Sequence, residues 1–291
     1  MRRFGLVAVV FSAFLFVACG DDDSSSFAPR DDDSSVESSS SSVTPSSNSS
    51  ITSSNNEIAE NSSSSHDGNS SSSACLETAW DYLNPNIDYG EMVDVRDGQT
   101  YKTVRIGDQT WMAQNLNYES ENSRCYKDDV CNCTKYGRLY TWGMAMDSAG
   151  TWGMNGEGCG MYKRCSPVFP VRGICPEGWH LPSWEEWETL LTTVGGLSTA
   201  GKVLKSTSDW WDYRGESDNG TDDFGFSALP AGDLSYYTGF TDSQTETVFW
   251  SSTEKSNNSS NCLFLHYTSG IASVQYYVMH NRFSVRCVKD Y

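Results

Sequence analysis

Residues 20–74 hold 24 serines in 55 positions and ten acidic side chains against one basic one, Arg30, whereas all ten tryptophans and nine of the ten cysteines lie beyond residue 74. This partition limits what the chain can fold into. A Ser/Asp-rich stretch cannot bury enough apolar surface to offset the entropy of ordering it, so it takes no part in a core. Folding is confined to residues 75–291, and 217 residues suffice for one core of ordinary size. The tail carries −9 and the folding unit −11 of a chain whose net charge is −18. Both parts repel phosphate backbones, which excludes nucleic acid as a partner class.

Ahead of the tail, Met1-Arg2-Arg3 is followed by the uncharged run Phe4 to Ala18. Such a run is too short to span about 30 Å of hydrocarbon, but it suits the apolar core of a signal peptide behind a basic start. Its end, Phe16-Val17-Ala18-Cys19-Gly20, resembles a bacterial lipoprotein signal, in which a Cys after small residues is lipidated and becomes the first residue. The organisation expected is a signal peptide over 1–18, a lipidated Cys19 heading a disordered linker over 19–74, and a folded domain over 75–291. Acyl chains on Cys19 would make the membrane a partner; an uncleaved anchor with Cys19 idle is the alternative. Asp21-Asp22-Asp23, directly behind Cys19, resembles an export signal that some Gram-negative bacteria use to reach the outer face, which implies an outer-membrane or cell-surface location. Residues 24–74 then form a flexible leash with a root-mean-square reach of about 35 to 45 Å.

An exported chain meets an oxidising environment, where disulfides are the default use of cysteine. No Cys-x-x-Cys and no His-Glu-x-x-His occurs to suggest zinc. We expect short loops closed by Cys125 with Cys133 and Cys159 with Cys165, and a long staple from Cys175 to Cys287. Cys75, Cys131 and Cys262 stay unassigned, and an odd number leaves one thiol free or bridging to another molecule.

Alternating apolar residues from Met92 to Trp111, interrupted by Asp97-Gly98 and Gly107-Asp108, predict a strand meander. Leu139, Trp142 and Met146 fall at helical intervals within Tyr136–Ser148. A capping box at Ser183 and Glu186 opens a second helix, with Trp184, Trp187, Leu190, Leu191 and Val194 on one face and Gly195-Gly196 as its stop. Beyond residue 222 short strands follow: Phe224–Leu229, Val248–Ser251, Leu263–Tyr267, Val274–Val278 and Phe283–Val288. Two main helices and a strand-rich second half predict an α+β domain with a mixed, mostly antiparallel sheet.

Several blocks carry a specific resemblance. They are the run Asp97 to Leu116 (DGQTYKTVRIGDQTWMAQNL), Tyr136 to Trp142 (YGRLYTW), Cys175 to Ser183 (CPEGWHLPS), Phe224 to Gly232 (FGFSALPAG), Trp250 to Thr253 (WSST) and Ser284 to Cys287 (SVRC). In this order they resemble the Fibrobacter succinogenes major paralogous domain. That family is similar to formylglycine-generating enzymes and to the C-type-lectin-like fold, which implies a domain whose two ends meet in one sheet. The Cys175 to Cys287 staple fits such closure.

The enzymes of that wider group act through a cysteine pair near the carboxyl end, whereas Cys287 here has no near neighbour, Cys262 being the closest. No Gly-x-Ser-x-Gly occurs, and His180, at the entry to a helix, reads as a structural hydrogen-bonder. No catalytic residue is assigned. Asp218, Asn219, Asp222 and Asp223 gather oxygen ligands around Gly220 as a calcium ion requires, a plain polar turn being the alternative. Between Glu254 and Phe283, Ser, Asn, Tyr and His fill 14 of 30 positions, the mixture of rigid rings and adaptable hydrogen-bonders found in paratopes. Candidate ligand contacts are Tyr267, Tyr276, Tyr277, His280 and Asn281, joined by Trp210, Trp211, Tyr236, Tyr237 and Trp250 as flat rings suited to sugars. The function expected is therefore non-catalytic binding of polysaccharide or another surface ligand, such as a protein, for adhesion. A structural envelope protein assembling with paralogues and a degenerate oxidase are the other readings.

Overall fold

The computed structural model describes residues 75–213, 216–217 and 219–291. The signal peptide, Cys19 and the linker lie outside the described residues. The expected meander forms as β1 (Gly90–Val93), β2 (Thr100–Ile106) and β3 (Gln109–Met112). Next come α1 (Val130–Tyr136), β4 (Leu139–Tyr140), α2 (Trp142–Ala145) and β5 (Trp179–His180). The helices α3 (Trp184–Thr193) and α4 (Leu197–Val203) precede two hairpins, β6 (Asp212–Tyr213) with β7 (Glu216–Ser217), and β8 (Asp233–Ser235) with β9 (Gly239–Thr241). Long strands β10 (Glu246–Ser256) and β11 (Ser259–His266) are followed by β12 (Ser273–Val278), β13 (Phe283–Ser284) and β14 (Val288–Lys289).

Two five-stranded sheets result, ordered β1-β2-β3-β14-β5 and β12-β11-β10-β13-β4. The first is antiparallel throughout, and it joins the start and the end of the described unit. The second has one parallel pair, β10 with β13. The α+β class and the mixed, mostly antiparallel sheet are as expected.

β10 and β11 are buried on both faces, which explains their near-continuous apolar runs. Val248, Trp250 and Cys262 face one core with Trp142, Trp179 and Val285. Phe249, Leu263 and Leu265 face the other, with Trp111, Trp187 and Phe226. Helix α3 closes that second core. Ser183 Oγ accepts from the Glu186 amide at 3.2 Å while the Glu186 carboxylate accepts from the Ser183 amide at 2.8 Å. Trp187, Leu190 and Leu191 are its buried face, each contributing about 1.5–3 kcal/mol of transfer free energy.

Three expected elements differ. The strand over Phe283–Val288 is split in two: β13 pairs with β10 and β4 in the second sheet, and β14 crosses to the first, where it pairs with β3 and β5. The helix over Tyr136–Ser148 is broken into α1, β4 and α2 because Gly137 adopts a φ of +76° where a Cβ would meet Asn115 Cβ at 2.7 Å. The strand over Phe224–Leu229 is replaced by a loop. Gly225 and Ser227 take φ values of +69° and +51°, which no strand tolerates. The Ser227 amide and hydroxyl both donate to the Asp222 carboxylate, at 2.7 and 2.6 Å.

The three expected disulfides form, Cys125–Cys133, Cys159–Cys165 and Cys175–Cys287, and a fourth joins Cys75 to Cys131. Cys262 is the thiol left over among the described residues, and it is fully buried with its ionisation pushed up by that burial. It is thus not accessible to bridge chains.

His180 lies 1 % exposed between Asp290, 2.7 Å from Nδ1, and Glu186, 2.7 Å from Nε2. Tyr291 also donates its hydroxyl to Glu186. Burial opposes the imidazolium, but the two carboxylate hydrogen bonds outweigh it and raise the pKa above its ordinary 6.5. For Glu186, burial is likewise outweighed, by His180 and Tyr291, and the carboxyl falls to about 2. A raised histidine stabilises fully below its unfolded pKa and loses that contribution as pH rises through the folded value. A lowered carboxylate contributes above its unfolded pKa and loses it on acidification. The cluster therefore stabilises most between pH 4.5 and 6.5. In thermal melts of the native chain and His180→Gln, the gap in Tm is expected to be widest there and to narrow in alkali; a constant gap would mean that His180 is neutral.

Candidate binding surface

The β8–β9 hairpin and the turn behind it collect most of the exposed candidate residues. The hairpin leaves the core at Gly232, whose φ is +64° and where a Cβ would meet Thr241 O at 2.6 Å and Ser243 N at 2.7 Å, so only glycine fits. At its tip Tyr236 and Tyr237 are 61 % and 77 % exposed, with ring centroids 5.2 Å apart in an edge-to-face arrangement. Asn281 Oδ1 accepts from the Tyr236 amide at 3.0 Å, and the exposed His280 ring lies 5.2 Å from the Tyr236 ring. The tip is held further by the Leu234 to Arg282 bridge.

The turn Asp242–Glu246 adjoins this hairpin and carries further candidates on its backbone. The Trp211 amide donates to Gln244 O at 2.7 Å, and the Tyr267 amide to Thr245 O at 2.7 Å. Trp211 is half exposed, and Tyr267 is partly buried with its carbonyl held by buried Lys205 Nζ at 3.3 Å. The structure thus brings together Trp211, Tyr236, Tyr237, Tyr267, His280 and Asn281 around one hairpin and turn. Tyr276 lies elsewhere, its exposed ring covered by Lys255 Nζ at 4.4 Å. Tyr277 projects from the opposite face of β12, packs edge-on against Phe283 at 4.9 Å and contributes to the first core.

Trp210 and Trp250 are not surface rings. Trp250 is fully buried and its indole N–H donates to Tyr140 O at 2.7 Å; Trp210 is 4 % exposed and donates to Ser206 Oγ and Ala228 O, both at 3.1 Å. Each is a core side chain whose one polar atom finds an internal acceptor, which is why burial is affordable for it. The calcium cluster expected at Asp218–Asp223 does not assemble from its described members, Asp218 lying outside the described residues. Asp222 is fully buried, with both carboxylate oxygens engaged by Ser227. Its burial, resisted by the Ser227 hydrogen bonds and by Arg286, raises it to about 7. Asn219 Oδ1 accepts from the Trp210 amide at 3.0 Å, while Asp223 faces solvent.

An acidic group that the sequence does not bring together, although it offers Asp242 as a contributor to a calcium site, lies at the base of the hairpin. One ligand oxygen each from Asp233, Asp242 and Glu246 lie within 4.8 Å of one another. The turn explains two of them: the Thr245 and Glu246 amides both donate to Asp242 O, and φ values of +65° at Asp242 and +69° at Gln244 curl the chain so that residues four apart converge. The hairpin returns Asp233 to the same place by pairing it with Thr241. Burial raises the pKa of both Asp233 and Glu246, and the neighbouring carboxylates push Glu246 up further. The Asp242 to Glu246 spacing was visible in the sequence. Asp233, nine positions before Asp242, joins only through the hairpin register.

The fold and surface define a disulfide-stapled α+β domain with an aromatic hairpin at its surface. Residues 104–289 match the family model of the Fibrobacter succinogenes major domain, and the chain belongs to that family. No curated protein and no solved structure matches it.

Proposed function

We propose that residues 75–291 are a non-catalytic binding module that takes polysaccharide, or another surface ligand, on the β8–β9 hairpin. The carrying observation is the exposure of Tyr236 and Tyr237, at 61 % and 77 %, on a hairpin anchored by Asn281 and flanked by His280. Flat rings bury the apolar faces of sugars, and adjacent amide and imidazole groups reach their hydroxyls. The rigid anchoring limits the ordering cost of binding. That Cys287 is tied to Cys175 and Cys262 is buried supports the non-catalytic reading, since no pair of reactive thiols is offered by these two residues. A C-type-lectin-like fold belongs to the same proposal, supported by the sheet that joins both ends of the domain and by the Cys175–Cys287 staple. Lipid attachment at Cys19, with surface display on the Ser-rich leash, completes it. Among the described residues no helix is long and apolar enough to cross a membrane.

In affinity electrophoresis through gels containing xylan, pectin or soluble cellulose derivatives, the full chain is expected to be retarded by at least one. Tyr236→Ala and Tyr237→Ala should each weaken binding about tenfold, the loss of an aromatic anchor. Unchanged mobility in every gel rejects the polysaccharide reading, and retardation that both variants retain rejects the hairpin as its site.

A further inference from the structure

We propose that Asp233, Asp242 and Glu246 form a binding site for a hard divalent cation of the calcium type, which clamps the β8–β9 hairpin to the start of β10. Two independent observations point to a ligand. The first is convergence: oxygens from three carboxylates lie within 4.8 Å of one another. Two oxygens that each sit about 2.4 Å from one ion can be at most about 4.8 Å apart, so this spread admits a common calcium ion.

The second is an orphaned atom. Asp233 is 7 % exposed, and its Oδ1 is buried with no hydrogen-bond partner, although the Thr241 and Glu246 side chains hydrogen-bond to the carboxyl group as a whole. A buried carboxylate oxygen left without a partner costs free energy that a cation would recover. Among the described residues no lysine, arginine or histidine forms an ion pair with any of the three carboxylates. The Tyr277 phenol lies close enough to feel all three charges, and it too is not a cation.

The donor set selects the ion. It contains carboxylate oxygen and neither imidazole nor thiolate, which suits calcium, magnesium or manganese in preference to zinc or copper. Asp242 is exposed, so water can complete the coordination shell on that side. The site does not include Asp222, whose carboxylate is consumed by Ser227. It also stands apart from the sugar-binding proposal, because it needs no ligand beyond the ion.

The test is calorimetric titration of the chelator-stripped full chain with calcium chloride, followed by terbium luminescence excited through the tyrosines. One saturable site per chain is expected, with Kd between about 10⁻⁵ and 10⁻³ M. Asp242→Asn, at an exposed position, and Glu246→Gln should each weaken it at least about tenfold, while Asp223→Asn should leave it unchanged. Weak binding by the acidic runs near Asp21 and Asp31 is common to all these proteins and cancels in the comparison. Absence of saturable binding up to about 10 mM overturns the site, as does wild-type affinity in both Asp242→Asn and Glu246→Gln. No polysaccharide is present in the titration, so its failure and a failure of retention on glycans are separate results.

Discussion

Replacing Arg286 by Met is expected to destabilise the domain by about 3–5 kcal/mol, the cost of taking a buried cation with four hydrogen bonds out of its surroundings. Arg286 is 1 % exposed, and its guanidinium donates to Asn115 Oδ1 at 2.7 and 3.0 Å, to Met112 O at 3.2 Å and to Phe226 O at 2.5 Å. It stacks over Phe226 and Phe249 at 4.4 and 5.4 Å. Met fills a similar volume, so cavity formation is a minor part of the loss. The larger part comes from three acceptors left dry and from Asp222, which loses the nearby positive charge that favours its ionised form. Arg286→Lys keeps a charge but cannot bridge Asn115 with two nitrogens and should recover only part of the stability. The measurement is the urea midpoint at unchanged slope. A loss below about 1 kcal/mol would show that the acceptors rehydrate or find other donors.

The second large effect belongs to the staple. Cys175 and Cys287 are 112 residues apart, and opening their bridge in a paired Cys175→Ala and Cys287→Ala variant should cost about 4–5 kcal/mol in the chain-entropy model. Cys125 and Cys133 are only 8 apart, so the same operation there should cost about 2.5 kcal/mol. The order of the two losses follows from loop length alone, since each variant also removes two sulfurs. If the short bridge proves the more costly to lose, native packing around α1 rather than the closure of a long loop governs the stability. Cys262, buried throughout, should resist alkylation until the chain is unfolded.

What was legible in the sequence was local. The capping box of Ser183 and Glu186, the meander from β1 to β3 and the three cysteine pairs depend on nearby spacing or on one long closure, and each appears as expected. What was not legible depended on backbone conformations that composition does not show. Tyr136–Ser148 has helical periodicity, yet Gly137 sits against Asn115 and turns the chain into β4. Phe224–Leu229 alternates like a strand, yet Asp222 reaches forward to Ser227 and bends it into a loop.

The surface divides in the same way. The exposed Tyr236 and Tyr237 belong to a hairpin tip, where polar neighbours in the sequence make exposure the natural expectation. Trp210 and Trp250 carry the same ring chemistry but lie under neighbouring elements that supply an acceptor for each indole. Ring type alone does not distinguish the two cases. The acidic trio was hidden for a related reason: its members meet through hairpin register, whereas in the acid-dense run near Gly220 the described Asp222 spends its carboxylate on Ser227.

The central claim is that the β8–β9 hairpin is where this chain meets its ligand. The most direct measurement is covalent footprinting of the full chain with and without the polysaccharide that retards it most, read residue by residue by mass spectrometry. Protection of Tyr236, Tyr237 and His280 together is the predicted result, with the opening of about 610 Å³ lined by Phe169, Pro170, Glu185 and Tyr291 left unprotected. Protection at that opening, with the hairpin tyrosines still fully labelled, would contradict it.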